Sequence, residues 1–424
     1  MQKPQPFSLP ENLLLGAATA ATQIEGGDKN NSWYEWCEKG HIKDGSTTLR
    51  ANDHWSRYRE DIELMADLGL QCYRLGVEWS RIEPEEGSFD ESAIGHYREE
   101  LKLLRENGIV PLITLHHFTN PLWFEKAGAF ESKDCVKQFL RFVRFTVERL
   151  CDLCGEWITI NEPNVYGTLG FVFGEWPPGK KSLSAAMRVF KNLALCHIQS
   201  YKLIHEIYGE RGIEEPKVSF ANHLRVFEPM RKRNVFDRMG ASALSYMFQD
   251  ALTKSMFTGA LNFPVGLGSP LGRGRFCDFI AINYYTRDAV KGFENGTFPD
   301  VLKNDLGWEI YPEGLAELMR EQYEQYKLPV WITENGTCDK KDAFRARFIY
   351  DHLKAAVGTG LPLERFYHWT FLDNFEWLDG ESAPFGIVAC DFETQKRTVK
   401  QSGEFYREII KNRGVTEKMI DKYL

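Results

Sequence analysis

The stretches Trp157-Ile-Thr-Ile-Asn-Glu-Pro163 and Val330-Trp-Ile-Thr-Glu-Asn-Gly336 are built in the same way. Each is an apolar run that reaches a glutamate, Glu162 or Glu334, beside an asparagine and then a chain-breaking proline or glycine. Such runs are typical of buried parallel strands. Because α/β barrels carry their reactive side chains at the carboxyl ends of the strands, these two glutamates are the first candidates for a functional pair.

The same pattern continues along the rest of the chain. Short apolar runs alternate with amphipathic stretches of helical period, such as residues 58–68 and 136–150. The candidate strands are residues 13–17, 72–78, 110–117, 157–161, 217–222, 279–285, 330–333 and 365–372. Eight such units predict an α/β fold, a (β/α)8 TIM barrel, and the absence of a linker or repeat predicts one domain over residues 1–424.

An open, doubly wound sheet is the structural alternative to a closed barrel. That fold usually carries a glycine-rich phosphate fingerprint after its first strand. Here the corresponding segment, Gly16-Ala-Ala-Thr-Ala-Ala21, lacks the GxGxxG spacing. The sequence therefore favours the barrel.

Polar or aromatic side chains follow every candidate strand. A single residue of this kind can be a solvated strand end or a satisfied core group, but their presence after all eight strands indicates a site. In chain order they are Gln23, Glu25, Arg74, Glu78, His116, His117, Asn161, Glu162, Asn222, His223, Asn283, Tyr285, Glu334, Trp369 and Glu376.

Composition excludes several classes of partner. The net charge of −8 predicts no basic surface for nucleic acid or an anionic membrane. No run approaches the roughly 20 apolar residues of a membrane span, and residues 1–6 lack the apolar core of a signal peptide, so we expect a cytoplasmic protein. The 11 tryptophans, several at the ends of apolar runs, favour a carbohydrate ligand because sugar rings stack on indole faces.

The cysteines predict neither disulfides nor a metal site. The chain has nine, an odd number, and most lie inside apolar segments, as expected for reduced core thiols. Cys151-Asp-Leu-Cys154 is the one CxxC motif, and no second pair or suitably spaced histidine accompanies it. We therefore expect no bound metal.

Paired glutamates at strand ends favour glycoside hydrolysis. A retaining glycosidase needs one carboxylic acid to protonate the leaving oxygen and one carboxylate, about 5–5.5 Å away, to attack the sugar. Glu162 and Glu334 supply both groups.

The chain resembles glycoside hydrolase family 1, the β-glucosidase and β-galactosidase group, over nearly its whole length. One short motif would be weak support, but many occur here in order. They are Gly16-Ala-Ala-Thr-Ala-Ala-Thr-Gln-Ile-Glu-Gly26, Asn52-Asp-His-Trp55, Tyr73-Arg-Leu-Gly-Val-Glu-Trp-Ser-Arg-Ile82, Thr114-Leu-His-His117, Thr159-Ile-Asn-Glu-Pro163, Ile282-Asn-Tyr-Tyr285, Ile332-Thr-Glu-Asn-Gly336, Asn374-Phe-Glu-Trp377 and Arg397-Thr-Val-Lys400.

The resemblance implies a role for each site residue and no cofactor. Glu162 is expected to be the general acid/base and Glu334 the nucleophile, kept ionised by Arg74 and Tyr285. Burial and repulsion from Glu334 would raise the pKa of Glu162 so that it holds its proton. The remaining expected substrate-binding residues are Gln23, His117, Asn161, Asn283, Trp308, Trp369, Glu376, Trp377 and Phe385.

Two segments depart from the family pattern. The third strand is followed by His116-His117-Phe118, where family members usually carry a His-Trp pair. After Trp377 the run Leu378-Asp-Gly-Glu-Ser-Ala-Pro-Phe385 lacks the usual Tyr and Arg. The chain is also shorter than many relatives, which predicts trimmed loops at the mouth of the site. Aglycone preference is therefore the property that the resemblance determines least.

The expected activity is retaining exo-β-glycosidase action on terminal β-glucosyl residues of short β-glucosides such as cellobiose, with β-galactosides and β-fucosides also accepted. A 6-phospho-β-glycosidase is the main alternative, and Glu376 together with the absence of Lys or Arg between Trp377 and Lys396 argues against it. A transglycosidase and an inactive sugar-binding relative are further alternatives. The preferred sugar, the linkage and the oligomeric state stay open.

Overall fold

The computed structural model describes residues 3–424. Its centre is a barrel of eight parallel strands. Each strand pairs with the next along the chain, and the eighth pairs with the first, so the ring is closed. The predicted (β/α)8 barrel is confirmed. The strands are β1 (Leu14–Ala18), β2 (Cys72–Gly76), β3 (Val110–Thr114), β4 (Glu156–Asn161), β5 (Lys217–Pro229), β6 (Ile280–Lys291), β7 (Val330–Asn335) and β8 (Leu363–Trp369).

Two strands run beyond their predicted ends. The sequence predicts that the fifth and sixth strands stop at residues 222 and 285, but β5 continues to Pro229 and β6 to Lys291. Past the barrel they stay paired from Val226 with Arg287 to Pro229 with Val290, and a hairpin adds Glu294–Gly296. The β5 extension is only half-buried, and the β6 extension contains Thr286, Arg287 and Asp288, so neither has the continuous apolar run from which the barrel strands were predicted.

Helices connect and surround the strands. The helices predicted at residues 58–68 and 136–150 are present as His54–Asp67 and Cys135–Leu150. The others are Ala21–Ile24, Ser32–Glu38, Trp79–Ile82, Glu91–Glu106, Leu122–Lys126, Pro163–Gly167, Leu183–Arg211, Val235–Ser245, Ala251–Thr258, Pro312–Tyr326, Arg345–Val357, Gln401–Asn412 and Glu417–Tyr423. Side chains cap several of them; Asp90, for example, accepts hydrogen bonds from the backbone N–H groups of Ser92 and Ala93.

Short elements complete the fold. Phe7–Ser8 pairs with Gly414–Val415, and Val388–Cys390 pairs with Arg397–Val399. The irregular helical turns are Ala129–Glu131, Thr168–Phe173, Tyr246–Asp250 and Trp377–Ser382, of which the second and third are π-helical. All nine cysteines are unpaired and buried. Within residues 3–424, every helix is too short or too polar to cross a bilayer.

A charged network lies beneath the surface between the first long helix and the C-terminal part of the chain. His54 contacts Asp61 at 2.7 Å and Glu100 at 3.1 Å, and Asp61 accepts a hydrogen bond from Arg397 at 2.8 Å. Burial opposes the charged form of His54, but hydrogen bonds with the two carboxylates raise its pKa to about 10. The imidazole is therefore a buried cation at neutral pH.

Candidate active site

A pocket of about 250 Å³ opens at the carboxyl ends of the barrel strands. Most of the residues predicted from the sequence to form the site line this pocket. They are His117, Glu162, Tyr285, Trp308, Glu334, Trp369, Glu376, Trp377 and Phe385. The other predicted residues, Gln23, Arg74, Asn161 and Asn283, are fully buried and hydrogen-bond to side chains that line it.

Glu162 follows the last residue of β4. Its backbone is in the left-handed region (φ 40°), and Pro163 starts the next helix immediately after it. Glu162 Oε1 accepts a hydrogen bond from Asn283 Nδ2 at 2.8 Å and lies 3.5 Å from His223 Nδ1. The carboxyl group is thus held at the edge of the barrel by residues of β5 and β6.

Glu334 lies within β7, and its carboxylate has two strong donors. Arg74 donates a guanidinium N–H to Glu334 Oε1 at 2.6 Å, and the Tyr285 hydroxyl donates to Oε2 at 2.5 Å. Arg74 and Glu334 are 0% and 3% exposed, so water does not screen their attraction. Charge-assisted hydrogen bonds of this kind favour the ionised carboxylate.

Asn161 connects the surroundings of the two glutamates. Its Oδ1 accepts hydrogen bonds from Arg74 at 2.5 Å and from Asn283 at 3.0 Å, and its Nδ2 lies 2.9 Å from His117 Nε2. Since Arg74 also contacts Glu334 and Asn283 also contacts Glu162, one buried hydrogen-bond chain joins both carboxyl groups. Shared partners of this kind fix the relative positions of the two groups.

The two carboxyl groups titrate as a coupled pair. Burial disfavours charge on both carboxyl groups, and the charge of Glu162 raises the pKa of Glu334. Burial, with the charge of Glu162, raises the pKa of Glu334 to about 8. The pair therefore holds one proton at neutral pH.

The neighbours decide where that proton lies. Arg74 is permanently charged and contacts Glu334. Burial lowers the pKa of His223, so this imidazole is neutral at pH 7 and gives Glu162 no cationic partner. Arg74 therefore favours the ionised form of Glu334. The rise in the pKa of Glu162 that the sequence predicted is not found: burial opposes the charge of Glu162, but His223, Asn283 and Arg74 together lower its pKa.

Glu376 lies in the segment after β8 and lines the same pocket as Glu162 and Glu334. Gln23 Nε2 lies 3.4 Å from Glu376 Oε2 and donates to the Phe375 carbonyl at 2.7 Å. Burial raises the pKa of Glu376 to about 8, and the nearby Asp379 adds to the rise. Within the described residues, Gln23 Oε1 and His117 Nδ1 are buried without a hydrogen-bond partner, which leaves two polar atoms free for a ligand.

Aromatic rings form the remaining wall. The His117 ring lies 5.8 Å from the rings of both Trp369 and Trp377, and Trp377 packs against Phe118 and Trp176. The sequence marked Phe118 as a departure from the family, and the structure shows that it lines the pocket. Trp176 was missed because it comes from an irregular loop, where no strand or helix periodicity indicates which way a side chain faces.

Further pocket residues were missed for the same reason. His223 was recognised as a strand end but not chosen as a site residue, and Lys43, Asp379 and Arg225 were not singled out. The stretch between Trp377 and Lys396 has no Lys or Arg, but the pocket that contains Glu376 does contain a lysine from elsewhere in the chain. Lys43 reaches the pocket from a distant loop, and its Nζ lies 2.6 Å from Asp379, so the charge is already paired.

Comparison with known proteins identifies relatives along the full chain. The model of the family described as Glycosyl hydrolase family 1 matches residues 5–264 and 275–415. Beta-glucosidase A of Thermotoga maritima is 31% identical, over 96% of this chain and 99% of that protein. Beta-glucosidase A of Acetivibrio thermocellus is 32% identical, with the same two coverages.

Solved structures agree with the sequence comparison. A beta-glycosidase from Pyrococcus horikoshii superposes with a TM-score of 0.89 at 32% identity, covering 99% of this chain and 98% of that one. A family 1 β-glucosidase from Thermotoga maritima superposes with a TM-score of 0.91 at 29% identity, covering 98% and 100%. These similarities confirm the resemblance noted in the sequence.

Proposed function

Because the chain belongs to glycosyl hydrolase family 1, we propose that it hydrolyses terminal β-glucosyl residues of short β-glucosides such as cellobiose. We expect it to accept β-galactosides and β-fucosides as well. Double displacement through Glu162 and Glu334 would retain the anomeric configuration. The observation that carries this proposal is the unequal surroundings of the two buried glutamates: a permanent cation at Glu334 and a neutral imidazole at Glu162.

In the first step the Glu334 carboxylate attacks the anomeric carbon while Glu162 gives its proton to the departing oxygen. A covalent glycosyl-enzyme forms, in which Glu334 is a neutral ester and no longer carries a negative charge. The pKa of Glu162 then falls because its charged neighbour is gone. Glu162 can now accept a proton from water, which attacks the anomeric carbon and releases the sugar.

The same pocket suits a polyhydroxylated ring. Gln23 Oε1 and His117 Nδ1 have no protein partner, so hydroxyl groups can satisfy both atoms. We expect Glu376, Asn161 and Asn283 to bind further hydroxyls. A site that depends on such hydrogen bonds rejects analogues without the hydroxyls, because its own buried polar atoms would be left unpaired. The flanking rings of Trp369, Trp377, Trp308 and Phe385 would pack against the sugar and its aglycone.

Azide rescue tests the two roles separately. With added azide, Glu334→Gly should recover turnover and give the glycosyl azide of inverted configuration, because azide replaces the missing nucleophile. Glu162→Ala should give the azide of retained configuration, because the glycosyl-enzyme still forms. Near wild-type rates for both variants without azide, or an inverted product from the wild type by NMR, would contradict the mechanism.

A 6-phospho-β-glycosidase is the second candidate, and Lys43 is the observation that favours it. Lys43 lines the same pocket as Glu376, but Asp379 already neutralises its charge, and the Glu376 carboxyl itself would oppose a phosphate dianion. We therefore expect a higher kcat/KM for p-nitrophenyl β-glucoside than for its 6-phosphate. The opposite order would assign Lys43 to phosphate binding.

Other expectations from the sequence stay predictions. The shared chemistry leaves transglycosylation to be measured, as the ratio of transfer product to free sugar when an alcohol acceptor is added. An inactive sugar-binding protein would bind the glucoside without turnover. We also propose that residues 3–424 act as one domain, since Phe7 pairs with Val415 at the opposite end of the chain. The cytoplasmic location remains a prediction.

A further inference from the structure

His223 of β5 contacts a different partner with each of its two ring nitrogens. His223 Nδ1 lies 3.5 Å from Glu162 Oε1, a distance at the long end for a hydrogen bond. His223 Nε2 accepts a hydrogen bond from Arg225 Nε at 2.9 Å. The imidazole therefore connects the guanidinium of Arg225 to the carboxyl group of Glu162.

The geometry of β5 explains why Arg225 reaches this ring. Side chains two residues apart on a strand lie on the same face, so Arg225 follows His223 along one face of β5. The pairing of β5 with β6 shifts register between Leu224 and Val226, so Arg225 lies at the irregularity itself. Irregular pairing of this kind re-aims side chains and is over-represented beside active sites.

Partners from two other segments hold Arg225 in place. Its backbone N–H donates to Gln249 Oε1 at 2.9 Å, and Gln249 Nε2 donates to the Arg225 carbonyl at 3.1 Å. Its guanidinium donates to Asp288 of the β6 extension at 3.2 Å and lies 5.6 Å from the centre of the Phe248 ring. These contacts fix the position of the Arg225 Nε–H beside the imidazole.

The Arg225 donor determines the tautomer of His223. An arginine N–H can only donate, so Nε2 must present its lone pair, and the hydrogen of the neutral ring lies on Nδ1. A protonated ring would place a second N–H against the guanidinium. Asn283 Nδ2 also donates to Glu162 Oε1, at 2.8 Å. Oε1 thus faces two donors, so Oε2 is the oxygen of Glu162 that can carry the proton.

We propose that Arg225 is a positioning residue for the general acid/base: through the tautomer of His223, it keeps the transferable proton of Glu162 on Oε2. The other tautomer would turn a lone pair toward Oε1 and stabilise the proton there instead. The donor from His223 also favours the carboxylate form that Glu162 needs when it activates water. This inference rests on the proposed β-glycosidase function.

The titratable and charged groups that act on Glu162 and His223 come from several strands. Around Glu162 they are His223, Arg74, Tyr285 and Glu334, and around His223 they are Glu162, Arg225 and Asp288. Arg74 and Glu334 contact each other, so a change at Arg225 leaves that pair in place. Loss of the donor from His223 should therefore appear as a rise in the pKa of Glu162.

The ring nitrogens of His223 report the tautomer directly by NMR. In protein labelled with 15N-histidine, the signals that disappear in His223→Asn belong to His223. At pH 8 we expect a pyridine-type shift for Nε2 and a pyrrole-type shift for Nδ1. The opposite pattern, or two pyrrole-type nitrogens, would overturn the proposal. Because the wild type gives this pattern, the test does not depend on the folding of an Arg225 variant.

A double-variant cycle tests the effect on Glu162. Arg225→Met removes the donor, so the alkaline limb of kcat/KM on p-nitrophenyl β-glucoside should move up by about half to one pH unit. In His223→Asn the side-chain amide supplies an N–H in place of Nδ1 without help from Arg225. In that background Arg225→Met should leave the limb unchanged. An equal shift in both backgrounds, or a shift in neither, would overturn the proposal.

Arg287→Met is the matched control for Arg225→Met. Arg287 also lies where β6 extends past the barrel, but it pairs with Glu309 at 2.7 Å and Glu228 at 2.6 Å rather than with His223. The control should keep the wild-type alkaline limb, and a shift equal to that of Arg225→Met would overturn the proposal. Absence of turnover on every glycoside would instead refute the proposed function, and the nitrogen signals would still decide whether Arg225 sets the tautomer.

Discussion

The guanidinium of Arg74 lies 2.6 Å from the carboxylate of Glu334, and both side chains are almost completely closed off from solvent. Arg74 also donates hydrogen bonds to Asn161 at 2.5 Å, to Thr114 at 3.0 Å and to the Thr333 carbonyl at 3.2 Å. Four fixed acceptors hold the cation in one orientation. The barrel thus provides the counter-charge for Glu334 before any ligand binds.

Removal of this cation should impair both stability and catalysis. In Arg74→Met the Glu334 carboxyl stays buried without its partner, which we expect to cost about 3–5 kcal/mol in the free energy of unfolding. The pKa of Glu334 should rise, so the acidic limb of kcat/KM should move at least about one pH unit upward. Urea unfolding and a pH–rate profile measure the two effects.

Arg365→Met is the matched control for Arg74→Met. Arg365 donates to Glu156 at 2.6 Å, and this pair is also largely buried, but it belongs to the starts of β8 and β4, away from the pocket. The control should lose stability and keep the wild-type pH profile. A shift of the profile in both variants would mean that the effect of Arg74 is only structural.

Activity should fall as the pH rises through about 8. Burial and the charge of Glu162 raise the pKa of Glu334 to about 8, so the two glutamates share one proton below that pH, and we expect its loss to remove the general acid. Above that pH we expect kcat/KM to fall about tenfold per pH unit. A profile that stays flat to pH 10 would show that no proton on this pair is needed.

Burial of Glu376 should lower the stability of the folded protein as the pH rises. Its pKa is raised to about 8, so its contribution to stability is fully present below the unfolded value near 4.5 and is lost as the pH rises through about 8. Glu376→Gln cannot ionise, and its stability relative to the wild type should increase by about 4 kcal/mol between pH 5 and pH 8.5. Urea unfolding at the two pH values tests this, and an unchanged difference contradicts it.

The contributions of the buried residues His54 and His352 to stability should depend on pH in opposite directions. The pKa of His54 is raised to about 10, so its stabilising effect is complete below pH 6.5 and disappears as the pH rises to about 10. His54→Gln should lower the free energy of unfolding by about 3 kcal/mol at pH 6, and this loss should shrink toward pH 10. Burial lowers the pKa of His352 to about 3, so the loss in His352→Gln should be largest above pH 6.5 and shrink as the pH falls. Parallel slopes for the two variants would contradict this assignment.

Gly336 should tolerate no side chain. A Cβ at this position would lie 1.8 Å from the Trp369 carbonyl oxygen, so an alanine must push β8 away from the segment that follows Glu334. We expect Gly336→Ala to lose about 3 kcal/mol of stability and most of its activity. Gly209→Ala is the control, since Gly209 lies in a helix with no atom within 4 Å of its Cβ position, and it should gain up to about 1 kcal/mol. Thermal unfolding compares the two.

The barrel and most of the pocket were predictable because they depend on local pattern. Apolar runs such as residues 330–333 mark buried strands, and parallel strands bring their carboxyl ends to one edge. Lys43, Trp176 and Asp379 were missed because they lie outside strands, in loops that long-range contacts hold. The backbone N–H of Glu381, for example, donates to Asp44, and the Lys43 backbone N–H donates to the Leu378 carbonyl. Such contacts leave no periodic signal in sequence.

The sequence alone determined the fold class and the placement of the two glutamates, because strand periodicity and barrel geometry put both residues at the carboxyl edge of the barrel. Only the tertiary structure decided the surroundings of each glutamate, since Arg74 of β2 and the neutral His223 of β5 come from distant segments and act over a few ångströms. It also decided that an apolar cavity lies beside the pocket, because three separate helical segments build the walls of that cavity. Electrostatic interactions and cavity shape depend on the distances between residues in space, and the periodicity of a sequence does not specify those distances.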